Sequence, residues 1–260
     1  MTRDPDLQLE RQIERIAGFL RDAGSVTVLT GAGVSAESGI PTFRDAQTGL
    51  WAKYDPMELA TPQAFARDPS LVTRWYDERR RKCAECKPNP GHLALAWLQD
   101  ALEGAGKGFT LITQNVDRLH QEAGSRDPLE LHGSLWVWRC TSCGDEREER
   151  QVPFPEHPPR CECGGMRRPA VVWFGEALPE PVLAAAWRAA EGCGLFMSLG
   201  TSSLVEPAAS LGRVAAAGGA RTVEINPRET PLSPRVDVSV RGATGELLPV
   251  ILSVLEQVAP

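Results

Sequence analysis

Long apolar runs and an excess of positive charge are both absent from this 260-residue sequence. None of its apolar stretches approaches the roughly 18 residues that a membrane-spanning helix needs. The formal net charge is −6, so bulk charge gives no reason to expect a nucleic-acid partner. Residues 1–16 are polar and charged, without the apolar core of a secretory signal. We therefore expect a cytoplasmic protein with no membrane and no direct nucleic-acid binding.

Short apolar runs recur along the chain, and helical patterns separate most of them. The runs that predict strands are Val26–Thr30, Phe109–Thr113, Leu129–Leu131, Leu195–Leu199, Thr222–Ile225 and Val236–Val240. The patterns that predict helices include His92–Leu102, Pro181–Ala190 and Val205–Ala217. Strands that alternate with helices predict an α/β fold, a Rossmann-like and mostly parallel sheet with helices on both faces.

Two segments interrupt this alternation. Residues 46–87 show helices and loops without a strand, and residues 140–169 are charged, rich in proline and contain four cysteines. We expect both to pack together as a smaller domain, a helical insertion plus a cysteine module. The predicted division assigns residues 1–45, 88–138 and 170–260 to the Rossmann-like domain. The small domain takes residues 46–87 and 139–169.

The stretch LTGAGVSAESGIPTFRD, residues 29–45, begins like a dinucleotide-binding turn. Its Gly31-x-Gly33-x-x-Ala36 pattern follows an apolar run, and glycines allow a backbone to approach a diphosphate closely. An ordinary tight turn has the same pattern. A dehydrogenase would continue into a long helix, whereas this chain continues through Gly39 to Phe43 and Arg44.

Four further motifs follow or adjoin predicted strands. TQNVDRLH, residues 113–120, places Gln114, Asn115 and Asp117 at the carboxyl end of one strand, where open α/β sheets bind ligands. LELHGSL contains His132, whose residue type suits a general base near neutral pH, although a single histidine is more often structural. The other two are GTSSLVEPA, from residue 200, and VVWFGE, residues 171–176.

Together these motifs resemble the sirtuins, which are NAD-dependent protein lysine deacylases, over about residues 24–249. The resemblance implies that the loop after the glycine turn covers the nicotinamide end of NAD. It implies that Phe43 shields the reacting ribose carbon and that Arg44 holds phosphate or ribose oxygens. The implied products are free lysine, nicotinamide and O-acyl-ADP-ribose.

The resemblance also assigns roles to individual residues. His132 would be the general base, Gln114 and Asn115 would order the ribose and a water, and Asp117 would recognise the nicotinamide amide. Further cofactor contacts would come from Gly31, Ala32, Gly33, Ser35, Ala36, Gly200, Thr201, Ser202, Asn226 and Ala243. The substrate peptide would pair as an added strand with Val172, Trp173, Phe174, Gly175 and Glu176.

Seven cysteines in an expected reducing compartment indicate metal ligands or free thiols rather than disulfides. Cys140-x-x-Cys143 and Cys161-x-Cys163 are seventeen residues apart, which predicts one structural zinc ion held by four thiolates. Sirtuins carry such a module here, normally with C-x-x-C as the second pair. We expect exposed helix thiols at Cys83-x-x-Cys86, a buried Cys193 and no ligand at His157.

Tyr76 and Arg79 lie three residues apart in a predicted helix and so share one face. A solvated basic face would show the same run of arginines. The pattern also resembles the signature of class III sirtuins, which accept succinyl- and malonyl-lysine, and Ala52 matches a small residue that leaves room for the longer chain. This resemblance predicts desuccinylase and demalonylase activity beside deacetylase activity.

Three other functions share some of these motifs. A dehydrogenase could use the same glycine turn, and a zinc module without enzymatic activity could use the same cysteines. A protein ADP-ribosyltransferase could use the same NAD site. The second of these would need neither His132 nor the polar cluster at Asn115.

Overall fold

A computed structural model of the chain describes residues 5–42 and 55–258. Phe43, Arg44 and Ala52, to which the resemblance assigns roles, lie outside these described residues. No helix within the described ranges is long and apolar enough to cross a membrane.

The described strands form two sheets. In chain order they are β1 (Ser25–Thr30), β2 (Gly108–Thr113), β3 (Leu129–Glu130), β4 (Gly133–Cys140), β5 (Glu146–Glu148), β6 (Arg167–Val171), β7 (Leu195–Leu199), β8 (Arg221–Ile225) and β9 (Val238–Val240). The larger sheet has the order β3-β2-β1-β7-β8-β9, and every neighbouring pair in it is parallel. This is the strand order of a doubly wound dinucleotide-binding sheet, so the predicted α/β fold is confirmed.

Helices cover both faces of the larger sheet. The described helices of the whole protein, in chain order, are α1 (Pro5–Asp22), α2 (Ala32–Ala36), α3 (Pro56–Leu59), α4 (Pro62–Arg67), α5 (Pro69–Glu85), α6 (Pro90–Gly104), α7 (Leu119–Glu122), α8 (Glu180–Gly192), α9 (Leu211–Ala217) and α10 (Thr244–Val258). Successive side chains of a strand point to opposite faces. Accordingly, Val28 packs in the core with α1, α6 and α10, while Leu29 packs in the core with α8 and α9.

The smaller sheet has the antiparallel order β5-β4-β6, and α4 and α5 pack against it. Their shared core is aromatic: it contains Phe65, Trp75, Trp138, Phe154 and Trp173. Strands β4, β5 and β6 were not among the predicted strands. Strand β4 begins at Gly133, so the second sheet includes residues 133–138, which were predicted to belong to the larger domain. The division into two domains stays a prediction.

Two predicted elements have different bounds in the structure. The predicted helix Val205–Ala217 is a 3₁₀ turn at Ala208–Ser210 followed by α9. Pro207 lacks an N–H and disfavours the helical conformation at the residue before it, which explains the later start. Strand β9 begins two residues later than predicted, because the Asp237 carboxylate accepts hydrogen bonds from the N–H and hydroxyl of Thr222 at 2.8 and 3.0 Å.

Candidate functional site

The larger sheet brings most of the predicted cofactor residues to one edge. Each of its six strands ends next to at least one of them, and this carboxyl edge is where α/β sheets bind ligands. The residues that follow the strands, in sheet order, are His132 (β3), Gln114 and Asn115 (β2), Gly31 (β1), Gly200 (β7), Asn226 (β8) and Ala243 (β9).

The turns after β1 and β7 touch at the point where the strand order reverses. Gly33 N donates to Gly200 O at 2.8 Å, and Gly31 N donates to Leu199 O at 3.0 Å. A Cβ on Gly33 would lie 2.6 Å from Gly200 O, and Gly200 itself has a φ of +57°. The protein's own packing therefore requires glycine here, in addition to the diphosphate contact that the sequence predicts.

Three amide side chains hold this edge together. The Asn115 Nδ2 donates to Gly31 O at 3.1 Å and to Ser35 Oγ at 3.0 Å. The Gln114 Nε2 donates to Thr201 Oγ1 at 2.9 Å, and the Asn226 Nδ2 donates to the carbonyl of the same threonine at 2.5 Å. These bonds connect the ends of β1, β2, β7 and β8.

His132 lies half-buried beside this network. Its Nδ1 is 3.0 Å from the carbonyl oxygen of Gln114. A carbonyl only accepts hydrogen bonds, so we assign the proton to Nδ1, which leaves the Nε2 lone pair available. Burial lowers the pKa of His132, and the hydrogen bond to Gln114 opposes that shift. The ring is therefore neutral at neutral pH, as a general base requires.

Asp117 is buried, and its Oδ1 accepts a hydrogen bond from Leu119 N at 2.9 Å. Burial raises the pKa of this carboxyl.

The prediction of exposed thiols at Cys83 and Cys86 is wrong, because Cys83 is buried and Cys86 is half-buried. Burial, followed by the nearby Asp117 charge, raises the pKa of Cys83 to about 12.

A buried polar cluster under the strand ends was not predicted from the sequence. The Thr30 hydroxyl lies 2.9 Å from both Thr113 Oγ1 and His120 Nε2, and the His120 ring packs 4.8 Å from the ring of His92. Burial lowers the pKa of His120 to about 3 and that of His92 to about 4, so both rings are neutral. The only sequence feature that could have indicated this cluster is His120, the last residue of the TQNVDRLH motif.

Tyr76 and Arg79 do lie on one face of α5. Tyr76 is buried, and its hydroxyl oxygen accepts a hydrogen bond from the Trp173 indole at 2.8 Å. Burial raises the pKa of Tyr76 to about 12, and the positive charge of half-buried Arg79 opposes that shift. The structure thus joins Tyr76, one member of the predicted acyl-recognition pair, to the VVWFGE loop.

Hydrogen bonds from neighbouring residues hold the VVWFGE loop in place. Arg168 binds the Glu176 carboxylate through two nitrogens, at 2.6 and 2.9 Å, and its guanidinium lies 3.4 Å from the centroid of the Trp173 ring. The N–H groups of Val172 and Phe174 donate to His132 O and Ala60 O, at 3.0 and 2.9 Å. An added peptide strand would therefore pair with other backbone groups of this loop.

The four cysteines of the predicted metal site come together. All four sulfur atoms of Cys140, Cys143, Cys161 and Cys163 lie within 4.8 Å of one another. The pairs Cys140–Cys163 and Cys143–Cys161 are separated by 3.5 and 3.8 Å. Thiolates around a tetrahedral zinc ion, at about 2.3 Å from the metal, lie about 3.8 Å apart. The cluster therefore has the donor type and spacing for a structural zinc ion, despite its short C-x-C pair.

His157 is no part of that cluster, as predicted. Its Nε2 lies 3.0 Å from the Asp77 carboxylate. Cys193, predicted to be buried, is 7% exposed.

The chain is similar to proteins of known name over most of its length. It is 51% identical over 215 residues to an NAD-dependent protein deacylase of Aquifex aeolicus, covering 82% of this chain and 88% of that protein. It is 48% identical over 257 residues to a protein of the same name from Methylococcus capsulatus, covering 95% and 98%.

Solved structures have the same fold. One, described as the crystal structure of a Sir2 homolog–NAD complex, superposes with a TM-score of 0.87 at 47% identity and covers 94% of each chain. Another, described as Sir2 bound to acetylated peptide, has a TM-score of 0.82 at 30% identity and covers 93% of this chain and 97% of its own. The model of the Sir2 family matches residues 31–207. The chain belongs to the Sir2 family.

Proposed function

We propose that this protein is an NAD-dependent protein lysine deacylase. The main support for this proposal is the state of His132. Its ring is neutral, its Nδ1–H is bonded to the Gln114 carbonyl, and it lies at the carboxyl edge of the sheet, where such folds bind ligands. The relatives named NAD-dependent protein deacylase and the neighbours solved with NAD and with acetylated peptide support it.

When bound, NAD supplies an electrophilic ribose carbon with nicotinamide as the leaving group. In this proposal His132 accepts a ribose hydroxyl proton at Nε2, while the Gln114 carbonyl holds the opposite side of the ring. Asn115, fixed by Gly31 and Ser35, orients the ribose. Asp117 binds the nicotinamide amide from its buried position. Phe43 and Arg44 are proposed to cover this end of the site.

The remaining cofactor contacts are proposed along the same edge. The turn after β1 would hold the diphosphate through Gly31, Ala32, Gly33, Ser35 and Ala36. The adenosine half would lie over the ends of β7, β8 and β9, against Gly200, Thr201, Ser202, Asn226 and Ala243.

We propose further that Tyr76 and Arg79 select acyl groups with a terminal carboxylate, such as succinyl and malonyl. A buried carboxylate is costly unless it is paired, and an arginine with a neighbouring hydroxyl can supply charge-assisted hydrogen bonds. The Trp173 indole occupies one lone pair of Tyr76, so the phenol proton is directed away from Trp173. Burial also keeps Tyr76 protonated as a donor.

The test of acyl selection compares turnover of acetyl- and succinyl-lysine peptides by mass spectrometry. Arg79→Met should lower succinyl-lysine turnover by about 10- to 150-fold, the value of a charged hydrogen bond, and change acetyl-lysine turnover much less. Arg74→Met is the matched control, because Arg74 lies on the same helix but is exposed and donates a hydrogen bond to Ser70 within its own helix. Equal losses on both substrates would show that Arg79 supports the fold.

No feature of the described residues favours protein ADP-ribosylation over deacylation, and the names of the relatives fit deacylation better. Acylated proteins are therefore the proposed partners. The cytoplasmic location and the absence of nucleic-acid binding stay predictions.

A further inference from the structure

Arg167 is a buried arginine of strand β6 to which the sequence analysis gave no role. Its side chain is only 3% exposed. The Nη1 donates to the carbonyl oxygens of Trp138 and Asp145, at 3.2 and 3.1 Å. The Nη2 donates to the Asp145 carboxylate at 2.5 Å and to the sulfur of Cys161 at 3.3 Å. One guanidinium thus bridges a carboxylate and a sulfur of the metal cluster.

Backbone pairing fixes both ends of this contact. Arg167 lies opposite Cys140 in the antiparallel register of β6 and β4. Its N–H donates to Pro159 O at 2.8 Å, which ties β6 to the segment that leads into Cys161. The Cys161 N–H donates to Gly165 O at 2.8 Å. The arginine and the sulfur are therefore held in place by the main chain rather than by a flexible surface contact.

The negative charge of a zinc ion with four thiolate ligands gives a physical reason for an arginine at this position. Four thiolates around one Zn²⁺ ion carry a net charge of −2, and two of the ligands, Cys140 and Cys161, are buried. A buried charge is costly unless another charge or a hydrogen bond compensates it. The C-x-C pair leaves Cys161 and Cys163 less freedom to reach the metal than a C-x-x-C pair would.

We propose that Arg167 donates a charge-assisted hydrogen bond to the zinc-bound Cys161 thiolate, and that this bond slows the loss of zinc. Groups that hydrogen-bond metal ligands orient them, and their removal typically weakens metal binding by about 10- to 100-fold. The proposal concerns the metal site alone and does not depend on deacylation.

The first experiment measures transfer of zinc from the purified protein to a chelating dye. Arg167→Met should accelerate the transfer by about tenfold or more. Arg147→Met is the control, because Arg147 also binds Asp145, at 3.0 Å, but is 46% exposed and bonds Glu162 instead of a sulfur. Its zinc transfer should stay within about twofold of the parent protein, as expected for surface ion pairs. Equal transfer rates in the two variants would overturn the proposal.

The second experiment separates a bond to sulfur from a general packing role. In cobalt-substituted protein, the sulfur-to-cobalt absorption should move to longer wavelength in Arg167→Met, because the thiolate loses a hydrogen bond. Asp145→Asn removes the carboxylate partner and leaves the sulfur contact, so its band should not move. If the band moves equally in both variants, or in neither, the proposal is wrong. Should the methionine variant not fold, Arg167→Lys, which keeps the charge, should show a smaller shift in the same direction.

Discussion

At the scale of single residues, one hydrogen bond decides which nitrogen of His132 can act as a base. Because burial lowers its pKa below the ordinary value of 6.5, the ring stays neutral at neutral pH and gains a proton only under acidic conditions. We therefore expect kcat/KM to be constant around neutral pH and to fall as the pH drops through this lowered pKa. The pH dependence of deacylation checks this, and a profile that starts to fall well above pH 6.5 would contradict it.

The buried pair His92 and His120 makes folding sensitive to acid. Their pKa values of about 4 and about 3 in the folded protein lie below the ordinary value of 6.5. At a pH between the lowered and the ordinary pKa, the unfolded chain therefore binds more protons at these histidines than the folded chain does. The free energy of unfolding should therefore fall as the pH drops below about 6.5, by up to about 1.4 kcal/mol per pH unit for each histidine. The raised pKa values of buried Asp117 and half-buried Glu130 act in the opposite direction.

Urea unfolding at pH 7 and pH 5 of the parent protein and of His120→Gln isolates the histidine contribution. The carboxyl groups are common to both proteins, so the variant should lose less stability between the two pH values than the parent does. Identical losses would show that His120 does not contribute to the acid sensitivity.

At the scale of elements, one hydrogen bond connects α5 to the loop after β6. The Trp173 indole donates to Tyr76 within the aromatic core of the smaller sheet. Trp173→Phe should remove this neutral hydrogen bond while keeping a ring there, and should lower succinyl-lysine turnover by about 2- to 12-fold. Acetyl-lysine turnover should change less, because an acetyl group has no carboxylate for Tyr76 to bind.

Trp97→Phe is the matched control for that variant, since Trp97 is 39% exposed on α6. Peptide kinetics with both acyl groups give the measurement. A loss that is the same for acetyl- and succinyl-lysine would mean that Trp173 only positions the peptide, and that it does not order Tyr76.

The sequence predicted elements better than contacts between elements. The six strands of the larger sheet were predicted from apolar runs, because a strand buried on both faces is rich in apolar residues, although Thr222 and Glu224 interrupt the run in β8. Strand β4 was missed in part because its longer pairing is with β6, which lies far along the chain and places Arg167 opposite Cys140, whereas its neighbour β5 is short and fully charged. The Gly33–Gly200 contact and the Trp173–Tyr76 hydrogen bond likewise join residues far apart in the chain, so no local pattern reveals them.

At the scale of the whole molecule, hydrogen bonds connect the cysteine module to the helix that carries the proposed acyl-recognition pair. Arg80 of α5 is fully buried, pairs with Asp77 at 2.8 Å and donates to the carbonyls of Glu149 and Gln151, at 2.6 and 3.0 Å. Asp77 accepts a hydrogen bond from Phe154 N at 2.8 Å. Disorder in the cysteine module should therefore spread to α5.

Removal of zinc should lower stability and activity together. Structural zinc contributes directly to folding, and all four thiolates are used as ligands, so no position is open for a catalytic water. Metal analysis should give about one zinc per chain, and chelation should lower both the melting temperature and deacylation. A metal-free protein that melts at the same temperature and keeps full activity would contradict a structural role for the site.

In the proposed reaction, NAD is consumed to free a lysine from its acyl group, with His132 as the base. The most direct measurement follows adenine-labelled NAD during reaction with an acyl-lysine peptide, in the parent protein and in His132→Ala. The parent should release one nicotinamide per freed lysine, with all label in a small-molecule O-acyl-ADP-ribose product, and the variant should be slower by about 10²–10⁴-fold. Label that stays on protein, or a variant that turns over like the parent, would contradict deacylation with His132 as the base.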